Sequence, residues 1–286
     1  MSYKNIGFSL VVAGLIMTGC AEPKPVHHES LSLDKVERDE SVKKIDKTVI
    51  VLKPALTLMD SKNAKRSDLQ SQISRMRAGL TGGDYNFNDA YEYKYGATAG
   101  NAFKNDISDI LRNQGFTVVE EYESYDDIDF SVRKSAYLVI QPEIEASFIT
   151  SNVKQERSGD TITEHGTVSL VGTVKIIDLE PLSKERISSK KITLGDLRIN
   201  ENYTSIRKTN SGGSGNSAFD LGKKLGSSIG EAIFGTSEHD TTENTLVKIV
   251  NKVHSHIVDK TKPRLQQGVL LAYQKDIEEI KTKKRY

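Results

Sequence analysis

Two stretches of strict alternation constrain this chain more than any other feature. From Ser135 to Thr150, Leu138, Ile140, Pro142, Ile144, Ala146 and Phe148 fall on one face of an extended strand, with Glu143, Glu145 and Ser147 on the other. From Thr161 to Leu179 the pattern returns, with Val168, Leu170, Gly172, Val174 and Ile176 in register. Successive side chains of a strand point to opposite faces, so a two-residue period demands a sheet with one face packed and one wet. The turn LEPLSKE then leads into Arg186-ISSKKITLGDL, and three long strands with short links predict an antiparallel meander. Pro142 has no N–H to give a ladder, which predicts an edge position or a bulge.

The first folded element is Lys47–Met59, where Val49, Ile50, Val51 and Leu52 form a near-continuous β-favouring run. Such a run suits a strand buried on both faces and ending near Pro54. Residues 60–96 are polar: the first half has an amphipathic helical pattern through Leu69, Ile73 and Met76, and the second is a Gly, Asn and Tyr-rich loop. Ala97–Gln114 is a clear helix, with Ala99, Phe103, Ile107, Ile110 and Leu111 on one face and Lys104, Asp106, Asp109 and Arg112 on the other. Gly115 suits the position after its end, Phe116 folds back over the last turn, and the strand beginning Thr117-Val118-Val119 completes a β-α-β unit.

Residues 201–241 change character and contain the flexible sequence SGGSGNS. Within them Gly222, Gly226 and Gly230 recur every fourth residue. A helix there would show a flat glycine seam for helix packing, in an oligomer or in lipid. The alternative is a loop, since each glycine costs a helix about 1 kcal/mol against alanine. From Asp240 or Thr241, either able to cap, a helix carries Leu246, Ile249, Val250, Val253 and Ile257 as a stripe. Pro263 interrupts, a second run carries Leu265, Val269, Tyr273, Ile277 and Ile280, and the chain finishes in the basic tail from Lys281.

The N-terminus reads as processing. The one cysteine, Cys20, has no disulfide partner in its own chain and follows the apolar run Ile6–Met17 and the small pair Thr18-Gly19. That run is too short to span a bilayer as a mature helix. Met17-Thr18-Gly19-Cys20 resembles a bacterial lipobox, which predicts lipidation of Cys20 and cleavage before it. The alternatives are a plain secretory signal with an incidental cysteine, or an N-terminal buried helix. Two or three acyl chains, at roughly 0.8 kcal/mol per buried methylene, would anchor the chain permanently. Ala21 is not the aspartate that retains enteric lipoproteins at the inner membrane, which favours the outer membrane. The expected division is a signal at 1–19, a lipidated tether at 20–46 holding the domain off the lipid, and one domain over 47–286 with a Gly/Ser-rich insert at about 201–241.

Forty Lys plus Arg balance 39 Asp plus Glu, which argues against a nucleic-acid partner. His27 and His28 lie in the tether, His254 and His256 are two apart on a helix and so diverge, and His165 and His239 have no evident ligand partner. Asp126, Asp127 and Asp129 do not have EF-hand spacing and read as a solvated turn. Neither a G-x-S-x-G elbow nor a P-loop is present, so no metal, cofactor or enzymatic activity is expected.

The stretches KTVIVLKPAL, DILRNQGFTVV, DDIDFSVRKSAYLVI, GTVKIIDLEPLSKE and AYQKDIEEIKTKKR closely resemble the neuraminyllactose-binding hemagglutinin family, the adhesin A group of surface lipoproteins. The resemblance runs from about Lys47 to the end. It implies an outer-membrane lipoprotein, also placed on the flagellar sheath, with an adhesin role toward sialylated host glycans or glycoproteins. The family's sialic-acid segment maps onto Asn152-VKQERSGD, making Lys154 and Arg157 the candidate ligand-binding cations. An exposed charged hairpin loop is the alternative there. A different class of function is a periplasm-facing assembly lipoprotein forming homo-oligomers through the glycine seam and helices. The predicted fold is α+β: a predominantly antiparallel sheet, a helix after the first strand packed on it, and C-terminal helices.

Overall fold

Thr48–Val51 (β1) is β-branched at every position, which favours the pleated conformation. In the computed structural model, which describes residues 29–33, 36–58, 85–208 and 240–284, this strand lies inside a seven-stranded sheet. It runs parallel to β3 (Thr117–Val119) on one side and to the start of β4 (Leu138–Ser158) on the other. Val49 and Val51 join one hydrophobic layer, Ile50 and Leu52 the opposite one, so the continuous apolar run is buried on both faces as expected. The strand ends at Val51, but the chain resumes after Pro54 as β2 (Ala55–Leu58), a parallel partner of Glu143–Ala146 that composition does not separate from β1.

This split explains Pro142, which is not at an edge. β4 is central, bounded by β1 and β2 on one side and by β5 (Thr161–Leu179) on the other. The carbonyl of Ile140 accepts from the Leu52 N–H, 2.9 Å, so the backbone groups of Ile140 and, two residues on, Pro142 point toward the β1–β2 side. β1 pairing stops at Ile140 and β2 pairing starts at Glu143, so the missing donor faces the gap between them.

β5 pairs antiparallel with β4 over nearly its whole length and carries both β6 (Arg186–Thr193) and β7 (Asn200–Lys208) on its far side. The long antiparallel ladder makes the sheet predominantly antiparallel, and the fold is α+β. β7 covers the first eight residues of the stretch at 201–241 whose composition suggests an insert, and residues 209–239, with the glycine seam, lie outside the described residues. The same holds for the helical pattern at Leu69, Ile73 and Met76.

Part of the expected loop before the main helix is itself helical. Asn86 accepts from the N–H groups of Asn88 and Asp89 and starts α1 (Phe87–Lys94), so asparagine marks a helix cap there. α2 (Gly96–Arg112) follows, with Ala99, Phe103, Ile107, Ile110 and Leu111 buried. At its end Gly115 adopts φ +89°, and Phe116 donates its N–H to the Leu111 carbonyl, 3.1 Å. α4 (Thr242–Thr261) packs beside α2 on the same face, its stripe of Leu246, Ile249, Val250, Val253 and Ile257 buried. Thr241 is its N-cap residue, and Asp240 before it accepts from the Thr242 N–H at 3.0 Å. Beyond Pro263 the expected single run is two short helices, α5 (Gln267–Leu271) and α6 (Gln274–Lys284). The other sheet face is covered low down by residues 125–136, including α3 (Phe130–Ser135), whose flanking Tyr125, Ile128 and Ala136 meet Ile50, Val139 and Leu179. No helix among the described residues is long and apolar enough to cross a membrane.

Asp178 on β5 is fully buried, and among the described residues neither carboxylate oxygen has a hydrogen-bond partner. Lys190 lies 3.5 Å away, yet desolvation dominates and raises the carboxyl pKa above its ordinary value. A carboxyl raised by folding contributes stability below its unfolded pKa, and that contribution is lost as pH rises through the folded value. Asp178→Asn is therefore expected to raise Tm at neutral pH and to flatten its decline between the ordinary and the raised carboxyl pKa. Thermal melts of both proteins from about pH 4 to pH 8 check this. Lys190 keeps a partner in the variant, the Arg264 carbonyl at 2.8 Å.

Candidate functional site: the hairpin arm

Past the point where the helices cover the sheet, β4 and β5 continue as a hairpin arm, with β7 alongside Thr161–Ser169 as its third strand. Residues 149–158 are all exposed. A bulge between Ser151 and Lys154, with Asn152 at φ +53°, sets two residues of β4 against one of β5. The extra residue reverses the alternation, so that the core-side face passes from even to odd positions of β4.

The reversal decides where the candidate cations go. Lys154 pairs with His165 on the open face, where His165 Nδ1 lies 3.0 Å from the Thr204 hydroxyl and the Thr167 hydroxyl donates to Asn202, 3.0 Å. Arg157 pairs with Ile162, which continues the core-side face of Val168. Three residues apart on a regular strand, Lys154 and Arg157 project to opposite sides and do not converge. The cation that shares Arg157's face is Arg207 of β7, the other cross-strand neighbour of Ile162. Arg207 lies in the segment whose composition reads as an insert, although the alternation Tyr203, Ser205, Arg207 was its signal.

Behind this pair the shelf is held by hydrogen bonds. Glu164 accepts from Gln155 Nε2 at 2.6 Å and from the Tyr203 hydroxyl at 2.7 Å. The Tyr203 ring crosses Gly166 so closely that a Cβ there would come within 2.7 Å of it. The arm tip thus carries the exposed Arg157, whose Nε donates to the Gly159 carbonyl at 3.2 Å, and the half-buried Arg207 on one face of a braced three-stranded platform.

Two concavities lie elsewhere in the fold. A groove of about 700 Å³ between residues 31–33, Arg38 and α2 holds Arg38 and Arg112, which share Asp109, and Arg112 also meets Glu120. The apolar cavity between sheet and helices is only about 40 Å³. It adjoins His254, which proves to be a buried structural residue: its Nε2 lies 2.7 Å from Asp106 Oδ2. Asp106, expected on the wet face of α2, is buried as well. The missed signal was positional: Asp106 lies three residues after Phe103 and four before Ile110, and His254 four after Val250 and three before Ile257.

The other oxygen of Asp106 accepts the Val36 N–H at 2.8 Å. That bond belongs to a strap. Residues 29–33 and 36–46, which composition places in the tether, lie along α4 and α2, with Asn251 bonding Ser30 and Ser32 and Asn113 bonding Glu37 and Asp39. Cys20, His27, His28 and His239 lie outside the described residues.

The family model for neuraminyllactose-binding hemagglutinin precursors matches residues 4–284. The chain belongs to this family. A neuraminyllactose-binding hemagglutinin of Helicobacter pylori is 26% identical, the alignment covering 98% of this chain and 93% of that one, and a second from another strain is 25% identical with the same coverage. A crystal structure of a neuraminyllactose-binding hemagglutinin homolog from the same species matches with a TM-score of 0.49 at 13% identity, over 88% of this chain and 100% of that one.

Proposed function

We propose that this chain is a lipid-anchored outer-membrane adhesin that binds a sialylated glycan, with its acyl anchor on Cys20 and its ligand contact at Arg157 and Arg207. The observation that carries this reading is the braced, exposed arm, with two arginines flanking Ile162 on one face, in a member of a family named for neuraminyllactose binding. Strands two apart in a sheet are about 10 Å distant, within the combined reach of two arginine side chains meeting on one carboxylate. A guanidinium offers that carboxylate a planar, bidentate fork. Lys154, on the opposite face, is outside this contact.

Protease shaving of intact cells tests location, with a Cys20→Ser strain as the unanchored control and a periplasmic marker for integrity. Cleavage in intact wild-type cells is expected, and full protection until the outer membrane is opened would defeat the surface reading. For the site, Arg157→Ala is expected to weaken monovalent binding of neuraminyllactose in solution about tenfold, the loss of one charge-assisted contact. Lys154→Ala should leave that affinity unchanged. Equal effects at the two positions would remove the assignment.

A further inference from the structure

The sheet closes most of its edges. Along β7, Thr241 exchanges hydrogen bonds with both backbone groups of Thr204, and Asp240 accepts from the Ile206 N–H. On the outer side of β6, Arg264 donates to the Lys191 carbonyl. On β4, Asn88 takes both the N–H and the carbonyl of Phe148, at 2.8 and 3.1 Å. Beyond Phe148 the cover stops. From Ile149 to Ser158 the outer edge of β4 has no strand or side-chain partner among the described residues, and Val153 on it is 45% exposed. An open edge of this kind is a template for another strand.

The charges along it indicate which strand. Lys154 and Glu156 stand two residues apart on the open face, and among the described residues neither has an ion-pair or hydrogen-bond partner. Gln155 between them points to the other face, as its bond to Glu164 shows. Core-side residues of β4 direct their backbone groups outward, as Ile140 does toward Leu52, so beyond the bulge Gln155 and Arg157 offer N–H and C=O to a neighbour.

We propose that two copies of this chain pair edge to edge through β4, antiparallel and two-fold symmetric about Gln155. In that register Lys154 of each copy opposes Glu156 of the other, so each charge gains one partner and the dimer holds two such pairs. The Lys154–Glu156 pairs fall at non-hydrogen-bonded positions, where opposing side chains come closest. Moving the two-fold one residue either way would set Lys154 against Lys154 or Glu156 against Glu156, so the charges select one register. A sequence that is its own complement favours a second copy over an unrelated peptide, and a two-fold contact of this sort closes without growing into a fibre. The symmetry axis is normal to the sheet, so it keeps both Arg157–Arg207 pairs on one face and makes the dimer bivalent, a consequence that rests on the glycan reading.

Sedimentation analysis of the full chain carrying Cys20→Ser tests the pairing. A concentration-dependent dimer is expected. Lys154→Glu and Glu156→Lys should each weaken it by at least about tenfold, because like charges then face each other. The double swap Lys154→Glu/Glu156→Lys should restore it. Circular dichroism confirms that all four proteins are folded, since both positions are exposed. In the same background Gln155→Cys should form an interchain disulfide on mild oxidation, and Lys134→Cys, on α3, should not. A wild-type monomer at every concentration, a dimer indifferent to the single reversals, or a double swap that stays monomeric would each overturn the proposal.

Discussion

Gly172→Ala is expected to be the most damaging conservative substitution in the sheet, lowering stability by about 3–5 kcal/mol, or roughly 10 °C in Tm. Gly172 lies in the middle of β5 opposite Ala146, at φ +136°, where a side chain is strained on conformation alone. A Cβ would also overlap the Glu145 carbonyl oxygen and stand 2.9 Å from the Ala146 Cα. Both obstacles are backbone, so relief would require β4 and β5 to separate at the centre of their ladder. Gly100→Ala in α2 is the matching control. Nothing lies within 4 Å of its added Cβ, and it should be neutral or stabilising by up to about 1 kcal/mol. Thermal or denaturant melts of the two variants decide the matter; equal melts would mean that the β4–β5 approach is softer than these distances require.

Asp106→Ala is expected to cost about 3–5 kcal/mol, since it removes one member of a buried ionisable pair and leaves the other without a partner. His254 and Asp106 are 5% and 3% exposed, so water cannot take over the lost contact. The same change deprives the Val36 N–H of its acceptor and should loosen the strap at residues 36–41. His254→Ala leaves the Val36 bond in place and should cost less. A double-mutant cycle should show the paired substitution costing less than the two separate effects together, by more than about 1 kcal/mol. Limited proteolysis separates the two roles: early cleavage near Val36 is expected in Asp106→Ala and not in His254→Ala. Identical digestion of both would show that the strap is held by its other contacts, including Arg38 with Asp109.

Much of the architecture was legible because amphipathic periodicity records which side of an element meets the core. The bounds expected for β5 hold to the residue, and the stripes of α2 and α4 are buried position for position. The same logic placed β1 inside the sheet, since a run apolar on both faces has no wet side. Short elements were less visible. β2 spans four residues and α1 eight, too few for a period to emerge beside Pro54 or among asparagines. β7 was obscured by the glycine and serine that follow it.

What no local pattern carried was which elements meet. Asp106 and His254 each interrupt an apolar stripe, but only the packing of α2 on α4 turns two anomalies into one buried pair. Pro142 reads as an edge residue until the split between β1 and β2 supplies a gap for its missing donor. Lys154 and Arg157 look like one basic site in the sequence. Their spacing of three on a strand already parts them; the bulge at Asn152 decides which face each takes, and so puts Arg157 on the face of Arg207, fifty residues further on. Periodicity reports burial, which is a property of one segment with its solvent. Register, bulges and cross-strand neighbours arise from contacts between distant segments, and only the assembled sheet settles them.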